Sequence, residues 1–280
     1  MNIYCEFENL SENGKKSKNL VIKTEMKKFK TTLTTINITS KKQEKLLKKE
    51  IGTYTTIFSE EFNYLTNINF DFLTKTLTKE IKKIVDLESK NKKNIKYFVV
   101  GLGNPEITAD CLGTNVVKKI ISTTKDLENN NISNKDFGNV FSLAPSISSQ
   151  NGIYTLDIIK SMCYFFKPDL VFVIDSLSCK KPEYLGKTFQ INTCGLTPGC
   201  EIKNKQPKID KESLKIPVIS IGCPVVINLS SIQNKSKFDP VLTLKDIDVA
   251  IKTLADIISF SLNKIIHKNL TTDEIIFLSK

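Results

Sequence analysis

Arginine and tryptophan are absent from this 280-residue chain, and histidine occurs once. All 41 basic residues are lysine, so the net charge of +11 comes without the bidentate fork and planar stacking that guanine readout favours. The charge reads as lysine on solvated faces, able to steer an acidic partner, and nucleic acid is not an expected partner. The single histidine, His267, lies far along the chain from any candidate nucleophile, which leaves a Ser-His or Cys-His mechanism without support. Seven cysteines, from Cys5 to Cys223, form no Cys-x-x-Cys pair and no Cys/His cluster. Structural zinc and a disulfide framework are therefore not expected, and the thiols read as small, reduced core hydrophobes. No apolar run approaches the roughly 20 residues that span a bilayer. Met1-Asn2-Ile3-Tyr4-Cys5-Glu6 also lacks a basic region followed by an apolar one. A cytoplasmic protein without a membrane partner is expected.

What the chain does contain is two apolar runs that stop at carboxylate-bearing turns. One is Tyr97-Phe98-Val99-Val100-Gly101-Leu102-Gly103-Asn104, with Asp110 six residues on; the other is Leu170-Val171-Phe172-Val173-Ile174-Asp175. Runs apolar at every position suit strands of a parallel sheet covered on both faces. The spacing predicts an α/β fold, a mostly parallel sheet with helices on both faces, in residues 95–280. Residues 1–94, polar and lysine-rich, read as a β-rich N-terminal appendage with segments at Asn19 to Glu25, Lys30 to Ile38 and Gly52 to Ile57, and a helix over Leu73 to Leu87. Further helices are predicted over Leu112 to Ile121, Gly152 to Phe166 and Leu244 to His267, and a strand over Ile216 to Gly222. Ser176 to Lys211 reads as one long loop. His267 falls in the last turn of its helix, where a partly cationic ring would complement the dipole.

Ligands of open α/β sheets bind at the carboxyl ends of the strands, so Asp110 and Asp175 are expected to meet in one cleft. Two carboxylates there do not both ionise cheaply, and the pair acts as acid and base on a bound water, a constellation suited to peptide hydrolysis. The alternative is structural: Asp110 capping the helix that begins at Cys111, and Asp175 capping a turn after its strand. The turn Gly101-Leu102-Gly103-Asn104-Pro105-Glu106 fails the dinucleotide pattern, because Glu106 stands where a third glycine belongs. No metal or other cofactor is called for.

These motifs together resemble the spore germination proteases, endopeptidases that degrade small acid-soluble spore proteins. The resemblance is carried by Val100-Gly101-Leu102-Gly103-Asn104 with Thr108, Asp110, Leu112 and Gly113; by Ala144-Pro145 with Gln150, Gly152 and Ile153; and by Lys167-Pro168-Asp169 leading to Asp175. It continues through Gln190-Ile191, Gly195, Pro198-Gly199, Asn204, Ile216-Pro217-Val218-Ile219, Gly222, Pro224 and the C-terminal helix, in order over most of the chain. It implies a fold similar to hydrogenase maturation proteases and an atypical aspartic mechanism with Asp110 and Asp175 as the catalytic pair. It also implies a substrate cleft at Gly103, Asn104, Thr108, Gln150, Gly195, Pro198, Gly199 and Lys180. Small acid-soluble spore proteins as substrate, a homo-oligomeric zymogen and residence in the forespore or spore core come with it.

The chain departs from the family pattern in the loop Thr193-Cys194-Gly195-Leu196-Thr197-Pro198-Gly199-Cys200-Glu201, where the family reads Asp-Thr-Gly-Ile-His-Pro-Gly-Ser-Gly, and also at Ser178-Cys179-Lys180 for Ala-Ser-Arg, at Asn228 for an aspartate and at Cys5-Glu6-Phe7 for Thr-Asp-Leu. That erosion keeps a second function open: a catalytically weak paralogue that binds spore proteins without cleaving them. Peptidyl-tRNA hydrolases also open on a Gly-Leu-Gly-Asn-Pro turn, but their catalytic histidine has no counterpart near Asn104 or Asn115.

Overall fold

The computed structural model describes residues 21–66, 69–90, 92–129, 132–133, 136–145, 147, 151–198, 206–228 and 241–279. Strands are β1 (Val21–Met26), β2 (Thr31–Ile38), β3 (Gly52–Ser59), β4 (Lys96–Gly101), β5 (Asn139–Leu143), β6 (Leu170–Cys179), β7 (Thr188–Asn192), β8 (Val218–Asn228) and β9 (Val241–Thr243). Helices are α1 (Lys41–Leu47), α2 (Phe70–Glu88), α3 (Leu112–Lys118), α4 (Thr124–Glu128), α5 (Thr155–Phe166), α6 (Lys211–Leu214), α7 (Ile247–Ile266) and α8 (Thr272–Leu278).

All the described strands join one sheet in the order β1-β2-β3-β7-β8-β6-β4-β5, with β9 added to β8. The α/β class is as expected, but the sheet is mixed. Parallel pairing is confined to β5-β4-β6-β8, while β1, β2, β3, β7 and β9 pair antiparallel. The strands of residues 21–59 are continuous with the rest through β3 and β7, edge to edge. The expected long loop after Ser176 is largely ordered: β6 runs on to Cys179, and Thr188–Asn192 forms β7.

Two apolar layers sandwich the strands. On one face, Tyr97, Val99, Phe172, Ile174, Ile219 and Ile221 pack with Leu73, Leu77 and Ile81 of α2, Leu112 and Val116 of α3, and the apolar stripe of α7. On the other, Phe98, Val100, Val171, Val173 and Val218 pack with Leu156, Ile159 and Cys163 of α5 and Leu214 of α6. Each such fully buried side chain contributes about 1.5–3 kcal/mol relative to exposure, which is why β4 and β6 are apolar at successive positions rather than alternate ones. Helix α5 stops where Lys167 takes a left-handed φ of 50° and Pro168 follows. Cys111, Cys163, Cys179 and Cys223 are buried free thiols.

His267 does not carry the expected dipole-facing charge. Its side chain is wholly buried; Nδ1 accepts from the Gly138 N–H at 3.2 Å, and Nε2 lies 3.0 Å from the Ile121 carbonyl. That pairing fixes the neutral ring with its proton on Nε2, and burial pushes the pKa down from 6.5 to about 4.

Candidate functional site

Helix α3 is pressed directly against the sheet because two glycines leave no side chain between them. A Cβ on Gly101 would lie 2.0 Å from the Gly113 carbonyl oxygen, and one on Gly113 would lie 2.4 Å from the Ile174 oxygen and 2.5 Å from the Leu102 nitrogen. β4 ends at Gly101, paired with Ile174, and the next residue, Leu102, donates its N–H to the Ile174 carbonyl at 2.8 Å. The turn that carries Asp110 is thereby tied to β6 one residue before Asp175.

Within that turn Gly103 has φ 104°, and a Cβ there would collide with the Asp110 carbonyl oxygen at 1.7 Å, so glycine is required. The Asn104 N–H donates to Asp110 Oδ2 at 2.8 Å, and Asn104 Oδ1 accepts from the Glu106 N–H at 3.0 Å. Asp110 closes a 3-10 turn, Thr108–Asp110. It is not the cap of α3, whose N-cap is Cys111 with no side-chain capping bond. Burial raises the Asp110 pKa above the ordinary range, opposed by the Asn104 hydrogen bond.

Asp175 is 9% exposed and lies inside β6 rather than at its end, so it does not cap a turn after the strand. The Ser176 N–H donates to its Oδ1 at 2.9 Å. β6 keeps its partner β8 here, with Asp175 opposite Gly222, while β4 has already ended. The sheet narrows at this point, where β6 is left paired with β8 alone.

Asp175 heads a row of paired residues on one face: Asp175 with Gly222, Gly222 with Gln190, Gln190 with Thr56, and Thr56 with Thr34. Paired residues of neighbouring strands share a face. Along this row the apolar floor turns polar, and a cavity of about 110 Å³ opens beside it. Tyr54, Leu177, Gln190, Leu196, Ser220 and Gly222 line it, with Lys49, Glu50, Thr197 and Lys208 among the others. Gln190 Nε2 and Ser220 Oγ are buried without a hydrogen-bond partner, a desolvation cost of about 1–3 kcal/mol each. Asn192 is engaged, accepting from the Cys194 N–H at 3.0 Å.

The loop over the cavity is held from below. Gly195 has φ 73°, and a Cβ there would meet the Ile209 carbonyl at 2.0 Å. Leu196 and Ile209 exchange backbone hydrogen bonds at 3.0 and 2.8 Å. Lys208 pairs with Glu50 and, at 3.4 Å, with Asp210.

Of the cleft residues expected from sequence, Gly103 and Asn104 touch Asp110 directly, and Thr108 is exposed at the start of the same turn. Gly195 lines the cavity, and Pro198 is buried further along its loop. Lys180 follows the last residue of β6, roughly 16 Å along the strand from Asp175 at about 3.3 Å per residue. Gln150 and Gly199 lie outside the described residues. Tyr54, Leu177, Ser220 and Lys208 escaped the sequence reading, and Gln190 and Gly222 entered it only as motif residues. Their signal was there: Ser220 and Gly222, two apart, interrupt the apolar run of β8, and in β7 the polar Thr188, Gln190 and Asn192 alternate with Phe189 and Ile191. Among the described residues no group of three or more His, Cys, Asp or Glu side chains is placed to hold a metal ion. No described helix is long and apolar enough to cross a membrane.

The chain matches the family described as germination protease over residues 2–239. The germination protease of Caldanaerobacter subterraneus subsp. tengcongensis is 30% identical over 284 residues, covering 86% of each chain. The germination proteases of Clostridium tetani and Clostridium perfringens strain 13 are 30% and 33% identical over 204 residues, 72% of this chain. The chain spans about six-tenths of the length of these clostridial relatives, 62% and 61%. Among solved structures, the [NiFe] hydrogenase maturation protease HycI from Thermococcus kodakarensis KOD1 is similar over 65% of this chain and 98% of its own, with 17% identity and a TM-score of 0.35. With most of its length matched, in order, this chain belongs to the germination protease family.

Proposed function

We propose that this chain is an endopeptidase that hydrolyses small acid-soluble spore proteins, with Asp110 and Asp175 as its catalytic carboxylates. The observation that carries the proposal is the backbone joint at Leu102 and Ile174, sealed by Gly101 and Gly113, which ties the Asp110 turn to the strand position next to Asp175. In the reaction one carboxylate takes a proton from a water as its oxygen attacks the scissile carbonyl carbon. The other, protonated, gives its proton to the carbonyl oxygen; the first then hands the proton it took from water to the scissile nitrogen as the C–N bond breaks, and a diol hydroxyl returns its proton to the second as the product carboxyl forms. Burial favours the protonated form of Asp110, the state the acid of such a pair needs. Action in the spore core as a homo-oligomer belongs to the same proposal and rests on the family resemblance.

The test is cleavage of purified small acid-soluble spore protein by the full chain and by Asp110→Asn and Asp175→Asn. Asparagine keeps an acceptor oxygen for the Asn104 and Ser176 N–H groups, so melting temperatures should stay nearly unchanged while turnover falls about 10³-fold. Wild-type turnover in either variant would remove that residue from the chemistry. A wild-type chain that binds spore protein and leaves it intact would be the non-cleaving paralogue.

A further inference from the structure

We propose that the side-chain amide of Asn104 is a catalytic hydrogen-bond donor, holding the oxygen of the scissile carbonyl beside Asp110 as the carbon becomes tetrahedral. The proposal rests on the aspartate reading for the identity of the reaction. Its own warrant is how the fold uses this residue: two of its polar groups are engaged and the third is left over. The Asn104 N–H donates to Asp110 Oδ2 at 2.8 Å, and Asn104 Oδ1 accepts from the Glu106 N–H at 3.0 Å. A backbone N–H can face only the oxygen of an amide, so that second bond fixes which way the amide is turned. Nδ2 is then on the branch away from Glu106, and it meets no partner among the described residues. Asn104 is 6% exposed, and an amide so buried ordinarily has its donors satisfied.

The turn itself does not need that donor. A turn of this kind is closed by a side-chain acceptor, which aspartate or serine supplies as asparagine does. Other donors nearby are spent. Asn115 Nδ2 donates to Cys111 Sγ at 3.1 Å, and the Ser176 N–H donates to Asp175 Oδ1 at 2.9 Å.

Position gives the amide an oxygen to hold. Gly103, at φ 104° and packed against the Asp110 carbonyl, sets Asn104 onto the aspartate. Covalent geometry keeps Nδ2 within about 5 Å of the backbone nitrogen that holds Oδ2. With Oδ2 taken by that N–H, Oδ1 is the oxygen from which Asp110 hands its proton to substrate. The carbonyl oxygen has two lone pairs: one takes the proton from Oδ1, and the other accepts from Nδ2 at about 2.7–3.2 Å. No covalent bond forms to Asn104, which keeps both amide hydrogens throughout. As the C=O bond becomes single its oxygen becomes a stronger acceptor, so this hydrogen bond tightens in the transition state and acts on kcat rather than on binding.

The experiment compares kcat and KM for the full chain, Asn104→Ser and Asn104→Asp on purified small acid-soluble spore protein. Serine keeps a neutral acceptor for the Glu106 N–H but carries no amide, and aspartate keeps the shape while exchanging the donor for an acceptor. Both leave the backbone N–H on Asp110 in place. In each, kcat should fall about 10²–10³-fold with KM within about twofold of wild type. Asn104→Ser should also keep both limbs of the pH profile of kcat/KM and melt within about 3 °C of wild type. A kcat within about tenfold of wild type in Asn104→Ser overturns the proposal. So does a loss carried by KM or by a shifted pH profile, the marks of a displaced substrate or a displaced Asp110. Inactive Asp110→Asn and Asp175→Asn beside an active Asn104→Ser would sink the donor alone. Active aspartate variants would sink the aspartate reading, and a wild type that leaves spore protein intact would sink both.

Discussion

Lowering the pH should unload stability from one residue, His267, in a window that the structure sets. The ring is wholly buried, its Nδ1 accepts from Gly138 and its Nε2 faces the Ile121 carbonyl, so a second proton has nowhere to go without breaking the Gly138 bond. The unfolded chain takes that proton near pH 6.5 and the folded chain only near 4. The folded pKa is depressed, so the contribution is complete above 6.5, falls as pH drops through the window and is spent near 4. The difference in proton affinity is worth about 3 kcal/mol, a large part of a typical domain's stability. The assay is urea denaturation at half-unit steps from pH 7.5 to 4, for wild type and His267→Gln. Carboxylates titrate in both proteins, so the gap between the two isolates the histidine; it should shrink by about 3 kcal/mol across the window. Because the chain has one histidine, its ring resonances also give the folded pKa directly by NMR. A midpoint above 6, or a gap that stays constant with pH, would refute the reasoning.

Gly113→Ala should lower the denaturation midpoint by the equivalent of about 1–3 kcal/mol, since its Cβ would lie 2.4 Å from the Ile174 oxygen, and should depress spore-protein cleavage by more than the unfolded fraction accounts for. Phe172→Ala, at a fully buried site in the central strand β6, should cost about 3–5 kcal/mol by urea titration. Asp110→Asn should be at least as stable as wild type at pH 7: the Asp110 pKa is raised, so its stabilising share is present at low pH and lost as pH rises through the folded value, and a calorimetric scan showing clear destabilisation would contradict this. Thr197→His, which restores the family's histidine on the cavity wall, should raise cleavage of spore protein with little change in melting temperature; unchanged cleavage by a folded variant would mean that the loop's erosion does not limit turnover.

Strands β4 and β6 and helices α2, α5 and α7 were legible in the sequence because burial writes itself into periodicity. A strand covered on both faces must be apolar throughout, and a helix covered on one side must carry a stripe. The positions of Asp110 and Asp175, each following an apolar run, were legible as well. The family was identifiable from short motifs spread in order along the chain. What no local pattern held was which strand lies beside which. Thr188–Asn192 is short and half polar, so β7 was lost in a supposed loop, and with it the joint that makes β3 continuous with β8. β6 was cut short at Ile174 because Ser176 and Ser178 interrupt the apolar run, although pairing with β8 carries the strand to Cys179. Register alone puts Gln190 and Asp175 on either side of Gly222, and the cavity exists only where five separate segments enclose it. His267 went the same way: the dipole of its own helix argued for a charged ring, and burial against Gly138 and Ile121, distant in the chain, made it neutral. The sequence by itself determined which segments are buried and where carboxylates punctuate them, because those follow from each segment's own periodicity. Only the tertiary structure decided which polar groups face one another and which stand unpartnered, because pairing and desolvation depend on residues that contact order, not sequence order, brings together.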